Sequence, residues 1–353
     1  MNRYPTKLHA RTDPDFARAP SGLPCFLPAA TGLALRGHRL QSAKPTRSSP
    51  LVIGTRGSPL ALAQAELVRE RLAVAHRLAA ATITLEAIHT TGDTIRDQPL
   101  ADAGGKGLFT KEIEQALLAG AVELAVHSAK DMPTFLPAGL AIAAVLPRED
   151  PRDVFIGGAV KTLAELPRGA RVGTSSPRRA ALIKRQRRDL AIVPLRGNVE
   201  TRLRKLAAGE VDAIVLALAG LKRLGLEQAA TAVLPVEQFL PAVGQGIIAI
   251  EARGDDDRAF ALLRAINHAD TAFALAAERA FLAVLEGSCR TPIAGHAAVA
   301  GGRLAFRGLI AKPDGSAVLE AQRHGAVADA ARLGAEAARE LKLSAGANFF
   351  AAV

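Results

Sequence analysis

The sequence predicts an α/β protein: two similar α/β domains facing each other across a cleft, then a small α+β domain at the C-terminal end. Three observations carry this. From Leu51 onward, short β-branched runs alternate with longer stretches of helical periodicity, as expected when strands and helices take turns around a largely parallel sheet. Leu118–Val126 and Ala207–Val215 both read as a helix end, a glycine at C′ and a buried strand, and the turn Gly54–Pro59 is echoed by Gly173–Pro177, one residue shorter. Near the C-terminal end the pattern changes to hairpin-type turns at Gly301-Gly302 and Pro313-Asp314-Gly315.

In order, the first strand falls at Leu51–Gly54 and is followed by a helix from Pro59 to about Leu78, with Leu62, Leu67, Leu72 and Ala75 as apolar positions. A strand follows at Thr82–His89. Thr91-Gly92-Asp93 and Ala103-Gly104-Gly105-Lys106-Gly107 bracket a long polar loop, and the helix from about Phe109 to Leu118 stops before Gly120. Arg148–Asp153 reads as a polar hinge into the strand Val154–Ile156. Leu240–Gly246 is a second Pro/Gly crossing, after which Ile247–Glu251 returns a strand to the first domain, and helices from about Asp257 to Leu285 lead into the third. The expected division is 51–147 plus 246–265, 152–240, and 268–353, with 1–50 as a disordered N-terminal extension.

The 353 residues carry a net charge of +11, which at first reads as a nucleic-acid binder. Residues 1–50 supply +6 of it, and one tyrosine with no tryptophan leaves little to stack on bases. No apolar run reaches the roughly 20 residues that span a bilayer. Cys25 and Cys289 stand too far apart and in settings too unlike for a disulfide framework or a metal site, which favours a reducing compartment. Residues 1–50 lack the amphipathic pattern of a transit peptide, which is the alternative to a disordered extension there, as is a start codon taken too far upstream.

Five arginines stand at strand-to-helix turns: Arg56, Arg178, Arg179, Arg196 and Arg202. In Ser58-Pro59 and Ser176-Pro177 the serine suits an N-cap and the proline the first helical position, so free backbone N–H groups and guanidinium forks point the same way. Carboxylates or phosphates are the natural guests.

Cys289 lies in Leu285-Glu286-Gly287-Ser288-Cys289-Arg290 and reads either as a small buried residue or as an accessible thiol beside a cation, fit for a nucleophile or covalent anchor. Val126-His127-Ser128-Ala129-Lys130-Asp131 places polar groups where a buried strand runs out. It is either an exposed loop with an incidental ion pair, or a site in which Asp131 handles a proton or stabilises positive charge and Lys130 meets an anion. Lys184–Arg188 reads as a solvated helix face, and Gly104-Gly105-Lys106-Gly107 lacks the spacing of a phosphate loop and reads as a mobile loop near the cleft.

Taken in order, Thr55-Arg56-Gly57-Ser58-Pro59-Leu60-Ala61, Gly105-Lys106-Gly107-Leu108-Phe109, Val126–Asp131, Gly173-Thr174-Ser175-Ser176, Leu195-Arg196-Gly197-Asn198, Leu240–Gly246 and Leu285–Cys289 resemble the porphobilinogen deaminase (hydroxymethylbilane synthase) family over most of the chain from residue 51. The resemblance implies two periplasmic-binding-protein-like α/β domains flanking a cleft, plus a small C-terminal α+β domain carrying the cysteine. It implies a transferase of tetrapyrrole biosynthesis in which dipyrromethane is joined to Cys289 by a thioether. Four porphobilinogen molecules are added stepwise with loss of ammonia, and water releases hydroxymethylbilane. Asp131 is the implied catalytic residue. Arg56, Ser58, Ser128, Lys130, Asp131, Thr174, Ser176, Arg178, Arg179, Arg196, Gly197 and Arg202 are implied to hold the cofactor and the growing polypyrrole. No metal is implied. The chain departs from the family pattern at Asp102, where a lysine is frequent before the glycine-rich loop, which puts a basic contact there in doubt.

The chemistry suits the residues: each pyrrole brings acetate and propionate groups, and loss of ammonia leaves an electron-poor azafulvene that a carboxylate assists. A monomer in the cytoplasm is expected, or in an organelle stroma or matrix if residues 1–50 are a transit peptide, with no nucleic-acid or membrane partner. The competing reading is a non-catalytic two-lobed anion-binding protein, which leaves Cys289 without a purpose.

Overall fold

A computed structural model describes residues 51–94, 107–158, 160–287, 291–346 and 349. The expected extension at residues 1–50, the loop around Asp102 and Lys106, and the Cys289 thiol lie outside the described residues.

Strand β1 (Leu51–Arg56) leads into helix α1 (Pro59–His76), where Ala61 N donates to the Ser58 N-cap Oγ at 3.3 Å and Pro59 opens the first turn. The run continues with β2 (Ile83–Ile88), α2 (Thr91–Thr94), α3 (Lys111–Leu118), β3 (Leu124–Ser128) and β4 (Leu140–Val145). After the first crossing come β5 (Asp153–Ile156), β6 (Arg171–Gly173), α4 (Pro177–Gln186), β7 (Ala191–Val193), α5 (Val199–Ala207), β8 (Ala213–Ala217), α6 (Leu218–Arg223) and β9 (Ala232–Val233). The second crossing leads to β10 (Ile248–Arg253), α7 (Asp257–Leu263), α8 (Ala269–Val284), β11 (Ile293–Ala300), β12 (Arg303–Ala311), β13 (Val318–Ala326) and α9 (Ala330–Ala345).

Two five-stranded sheets share one plan: β2-β1-β3-β10-β4 and β7-β6-β8-β5-β9. In each, the first three strands pair in parallel, and the fourth runs against both its neighbours. The odd strands, β10 and β5, are the first strands after the two crossings. Each enters its sheet from the other lobe, which is why the sheets are mixed rather than wholly parallel.

The third sheet, β11-β12-β13, is an antiparallel meander covered by α8 and α9, with the Phe281 and Phe306 rings 5.1 Å apart in its core. Separate apolar clusters fill each lobe, one around Ile53, Leu72 and Ile250 and one around Phe155, Leu182 and Phe239.

Local details revise or add to the expectations. The buried stripe of α1 is Ala65, Val68 and Leu72, with Leu62 and Ala75 exposed, because alanine and leucine recur all round the helix and leave no unique apolar face. Thr91–Thr94 is a short helix rather than the start of a loop. Leu140–Val145 forms a strand, β4, that the sequence pattern did not mark. The Lys184–Arg188 end of α4 is exposed at Arg185, Gln186 and Arg188 as expected, while Arg187 also donates to the carbonyls of Leu163, Ala164 and Leu166 and Arg185 pairs with Glu320 at 3.1 Å.

Candidate active site

Residues at the carboxyl ends of the parallel strands of the two lobes lie close enough for their charges to act on one another. In each sheet the central parallel strand, β1 or β6, has neighbours reached by connections leaving in opposite directions, and ligand sites of open α/β sheets lie outside such a switch point. The ends of β1 and β3 and the turns after them hold Arg56, Ser58, Ser128, Lys130 and Asp131; the turns after β6 and β7, with the starts of α4 and α5, hold Thr174, Ser176, Arg178, Arg179, Arg196, Gly197 and Arg202.

On the first lobe, Arg56 is the last residue of β1, and its guanidinium lies 4.3 Å from the centroid of the Phe109 ring. Gln64, buried on α1, donates Nε2 to Ser128 Oγ at 2.8 Å. A one-turn 3-10 helix, Ala129–Asp131, carries Lys130 and leaves Asp131 exposed. Arg56, Ser58, Gln64, Phe109, Ser128 and Asp131 line a small pocket of about 40 Å³. The turn is held from behind by the second crossing: Ala129 N donates to Ile247 O at 2.9 Å, and Gly244 (φ +73) comes so close that a Cβ there would sit 2.9 Å from Lys130 N. Below it the His127 imidazole is buried 3.2 Å from Glu251, and burial raises the neighbouring Glu114 carboxyl, helped by Glu251.

On the second lobe, Ser176 caps α4, accepting from Arg179 N at 3.4 Å, and Ser176 N donates to Thr174 Oγ1 at 3.1 Å. Asn198 caps α5, accepting from Thr201 N at 2.8 Å. Arg202 Nε donates to Gly197 O at 2.8 Å, which sets its guanidinium against the turn holding Arg196. Arg178 and Arg179 are both buried on one carboxylate: Arg178 Nη1 reaches Asp153 Oδ2 at 2.7 Å, and Arg179 Nη2 reaches Asp153 Oδ1 at 2.7 Å. Arg178 also donates to Leu240 O at 2.9 Å, and Gln245 Nε2 donates to Asp153 Oδ1 at 3.1 Å. Asp153 thus joins α4 to both crossings.

The charges of the two lobes interact. Burial brings the Lys130 ammonium down to about 8, with Asp131 and Asp153 opposing and Arg179 and Arg178 assisting. Burial also brings Arg202 down to about 10, with Arg179 and Arg196 assisting and Asp131 opposing. Burial alone would raise the Asp153 carboxyl, but Arg178 and Arg179 outweigh it and hold the group at about 2. Such a crowd of cations around Asp131 favours a guest rich in carboxylates.

The sequence reading did not anticipate Asp153, Gln64, Phe109, or the buried His127–Glu251 pair. Asp153 was hidden in the polar run Arg148–Asp153, although its place at the head of an apolar strand was a usable signal. A larger cavity of about 330 Å³ lies elsewhere, lined by Arg148, Asp150, His268, Thr271 and His296 among others, and contains none of the candidate residues. Among the described residues, no group of three or more His, Cys, Asp or Glu is placed to hold a metal ion, and no helix is long and apolar enough to cross a membrane.

Comparison with known proteins bears on what this site does. Residues 51–261 match the family model described as porphobilinogen deaminase, dipyromethane cofactor binding domain, and residues 272–343 match the porphobilinogen deaminase C-terminal domain. The porphobilinogen deaminases of Nitrobacter winogradskyi and Nitrobacter hamburgensis are each 61% identical over 298 residues, covering 84% of this chain and 94% of theirs. Among solved structures, a putative methionine-binding lipoprotein from Bacillus subtilis is 13% identical with a TM-score of 0.40, covering 62% of this chain and 91% of that one. The two matched domains, in order and spanning most of the chain, assign it: the protein belongs to the porphobilinogen deaminase family.

Proposed function

We propose that the facing loops form the active site of a hydroxymethylbilane synthase, which joins four porphobilinogen molecules stepwise with release of ammonia and then releases the linear product to water. Membership of the family supports the activity and its dipyrromethane cofactor. The residue assignments rest on one observation above all: Asp131, exposed at the end of the turn after β3, lines one pocket with Arg56, Ser58 and Ser128.

The donor set fits the cofactor. Arg196 and Arg202 with the capped turns of α4 and α5 form one wall, and Arg56, Ser58 and Ser128 form the other, so acetate and propionate groups meet guanidinium, hydroxyl and backbone donors from both sides. When bound through Cys289, dipyrromethane supplies a tethered, carboxylate-bearing pyrrole end to be extended. Arg178 and Arg179 contribute positive field while anchored on Asp153, so their part is to hold the wall rather than to swing onto a guest. Asp131 lies beside the pocket and stabilises the positive charge that develops at the substrate methylene as ammonia leaves. Lys130 orients a substrate carboxylate.

The same reading divides the chain into domains at 51–147 plus 246–265, 152–240 and 268–353, supported by the return of β10 to the first sheet. It takes the protein as a cytoplasmic monomer. The assignment of Asp131 is tested by Asp131→Ala: the purified variant retains its covalent adduct but turns over at least a hundredfold more slowly, the order of a lost electrostatic partner in a transition state. A near-normal kcat removes Asp131 from the role.

A further inference from the structure

We propose that Arg279 is a positioning residue for the reaction: it clamps the segment bearing Asp131 to the helix that leads toward Cys289. The inference rests on the roles given to Asp131 and Cys289 above, and it concerns how the two are kept in register.

Helix α8 runs beneath the 3-10 turn and the residues after it. Leu275 on α8 shares a buried apolar cluster with Ala129 and Met132. One helical turn further on, Arg279 is only 7% exposed. Its Nη2 donates to Pro133 O at 3.1 Å and to Thr134 O at 2.9 Å. A guanidinium buried to reach main-chain carbonyls is an expensive way to fill space, since an apolar side chain of similar size would pack without the desolvation cost. Its geometric product is that Pro133 and Thr134 cannot slide along α8.

The same segment grips the far end of the helix. Thr134 Oγ1 donates to Gly287 O at 2.8 Å. Gly287 is itself pinned. The chain reverses at Glu286 (φ 53), Gly287 N donates to Leu282 O at 3.1 Å, and a Cβ on Gly287 would sit 2.6 Å from Leu282 Cδ1 and 2.5 Å from Ile293 Cδ1. The clamp therefore runs from Arg279 through Pro133 and Thr134 to Gly287. Asp131 stands two residues before one end of it in the sequence, and Cys289 two residues after the other. Lys130 and Asp131 belong to the first lobe and Gly287 follows α8, so this clamp fixes the segment after Asp131 against the end of the helix that precedes Cys289 in the sequence.

The test compares wild type, Arg279→Gln, Arg279→Lys and Thr134→Val as purified full-length enzymes, reading adduct occupancy by intact mass, thermal stability, and kcat and KM for porphobilinogen per loaded enzyme. The inference expects Arg279→Gln to carry the adduct but to lose roughly tenfold to hundredfold in kcat, as for a small misplacement of reacting groups, with KM little changed. Arg279→Lys, which keeps a donor for one carbonyl, recovers most of the loss. A loaded Arg279→Gln enzyme with wild-type kcat overturns the inference and leaves the roles of Asp131 and Cys289 standing, whereas an unmodified yet active wild type overturns both. If Arg279→Gln does not fold, Thr134→Val decides: a lowered kcat at unchanged KM supports the clamp, and an unchanged kcat refutes it.

Discussion

Asp153→Asn removes the carboxylate that holds two buried guanidiniums and both inter-lobe crossings. Asp153 is fully buried and accepts from Arg178 and Arg179 at 2.7 Å each and from Gln245 at 3.1 Å. Its carboxyl lies at about 2 against an ordinary 3.8, a difference worth about 2 kcal/mol to the folded state at neutral pH. The variant loses more than that, because an amide offers Arg178 and Arg179 one neutral oxygen in place of a carboxylate, with only Leu240 O remaining to Arg178; breaking a buried pair from one side costs about 3 to 5 kcal/mol. The assay is denaturant unfolding of wild type and variant across pH. A carboxyl depressed on folding gives its full stabilisation above its ordinary value and loses it as pH falls through the folded value. The gap between the two proteins is therefore flat from neutrality down to about pH 4 and narrows toward pH 2. A loss below about 1 kcal/mol at pH 7, or a gap that does not narrow in acid, refutes the reasoning.

Two further perturbations probe the turn that carries Asp131. Lys130 loses its charge as pH rises through about 8, so kcat/KM for a carboxylate substrate falls there, and Lys130→Arg moves that fall to higher pH; an unchanged profile in the variant removes Lys130 from substrate binding. Gly244→Ala forces a side chain into a left-handed backbone 2.9 Å from Ala129 C and Lys130 N, which costs about 1 to 3 kcal/mol from the backbone conformation alone and displaces the turn. Its melting temperature and kcat both fall; wild-type values for both contradict the close approach.

What the sequence made legible was mostly local. Ser58-Pro59 and Ser176-Pro177 announce helix starts because an N-cap and its proline are neighbours in the chain, and both caps form. The repeated helix-glycine-strand grammar corresponds to two sheets of one topology. Long-range pairing was not legible. Arg178 and Arg179 read as anion contacts because the partner that occupies them, Asp153, lies 25 and 26 residues away in a run that looked like a solvated hinge. Similarly, Arg279 and Gly287 looked like ordinary helix and turn residues, since their bonds to Pro133 and Thr134 span about 150 positions. The strand β4 escaped notice because Leu140-Ala-Ile-Ala-Ala-Val is short and alanine-rich, and only its antiparallel pairing with β10 makes it a strand.

Whether the cleft works on a polycarboxylate tethered at Cys289 is decided by the intact masses of the wild type and of Cys289→Ala. The active wild type is expected to be heavier than its polypeptide by two pyrrole units, and the Cys289→Ala protein to have the bare polypeptide mass and no activity. An active wild type at the unmodified mass, or an adduct that persists in Cys289→Ala, contradicts it.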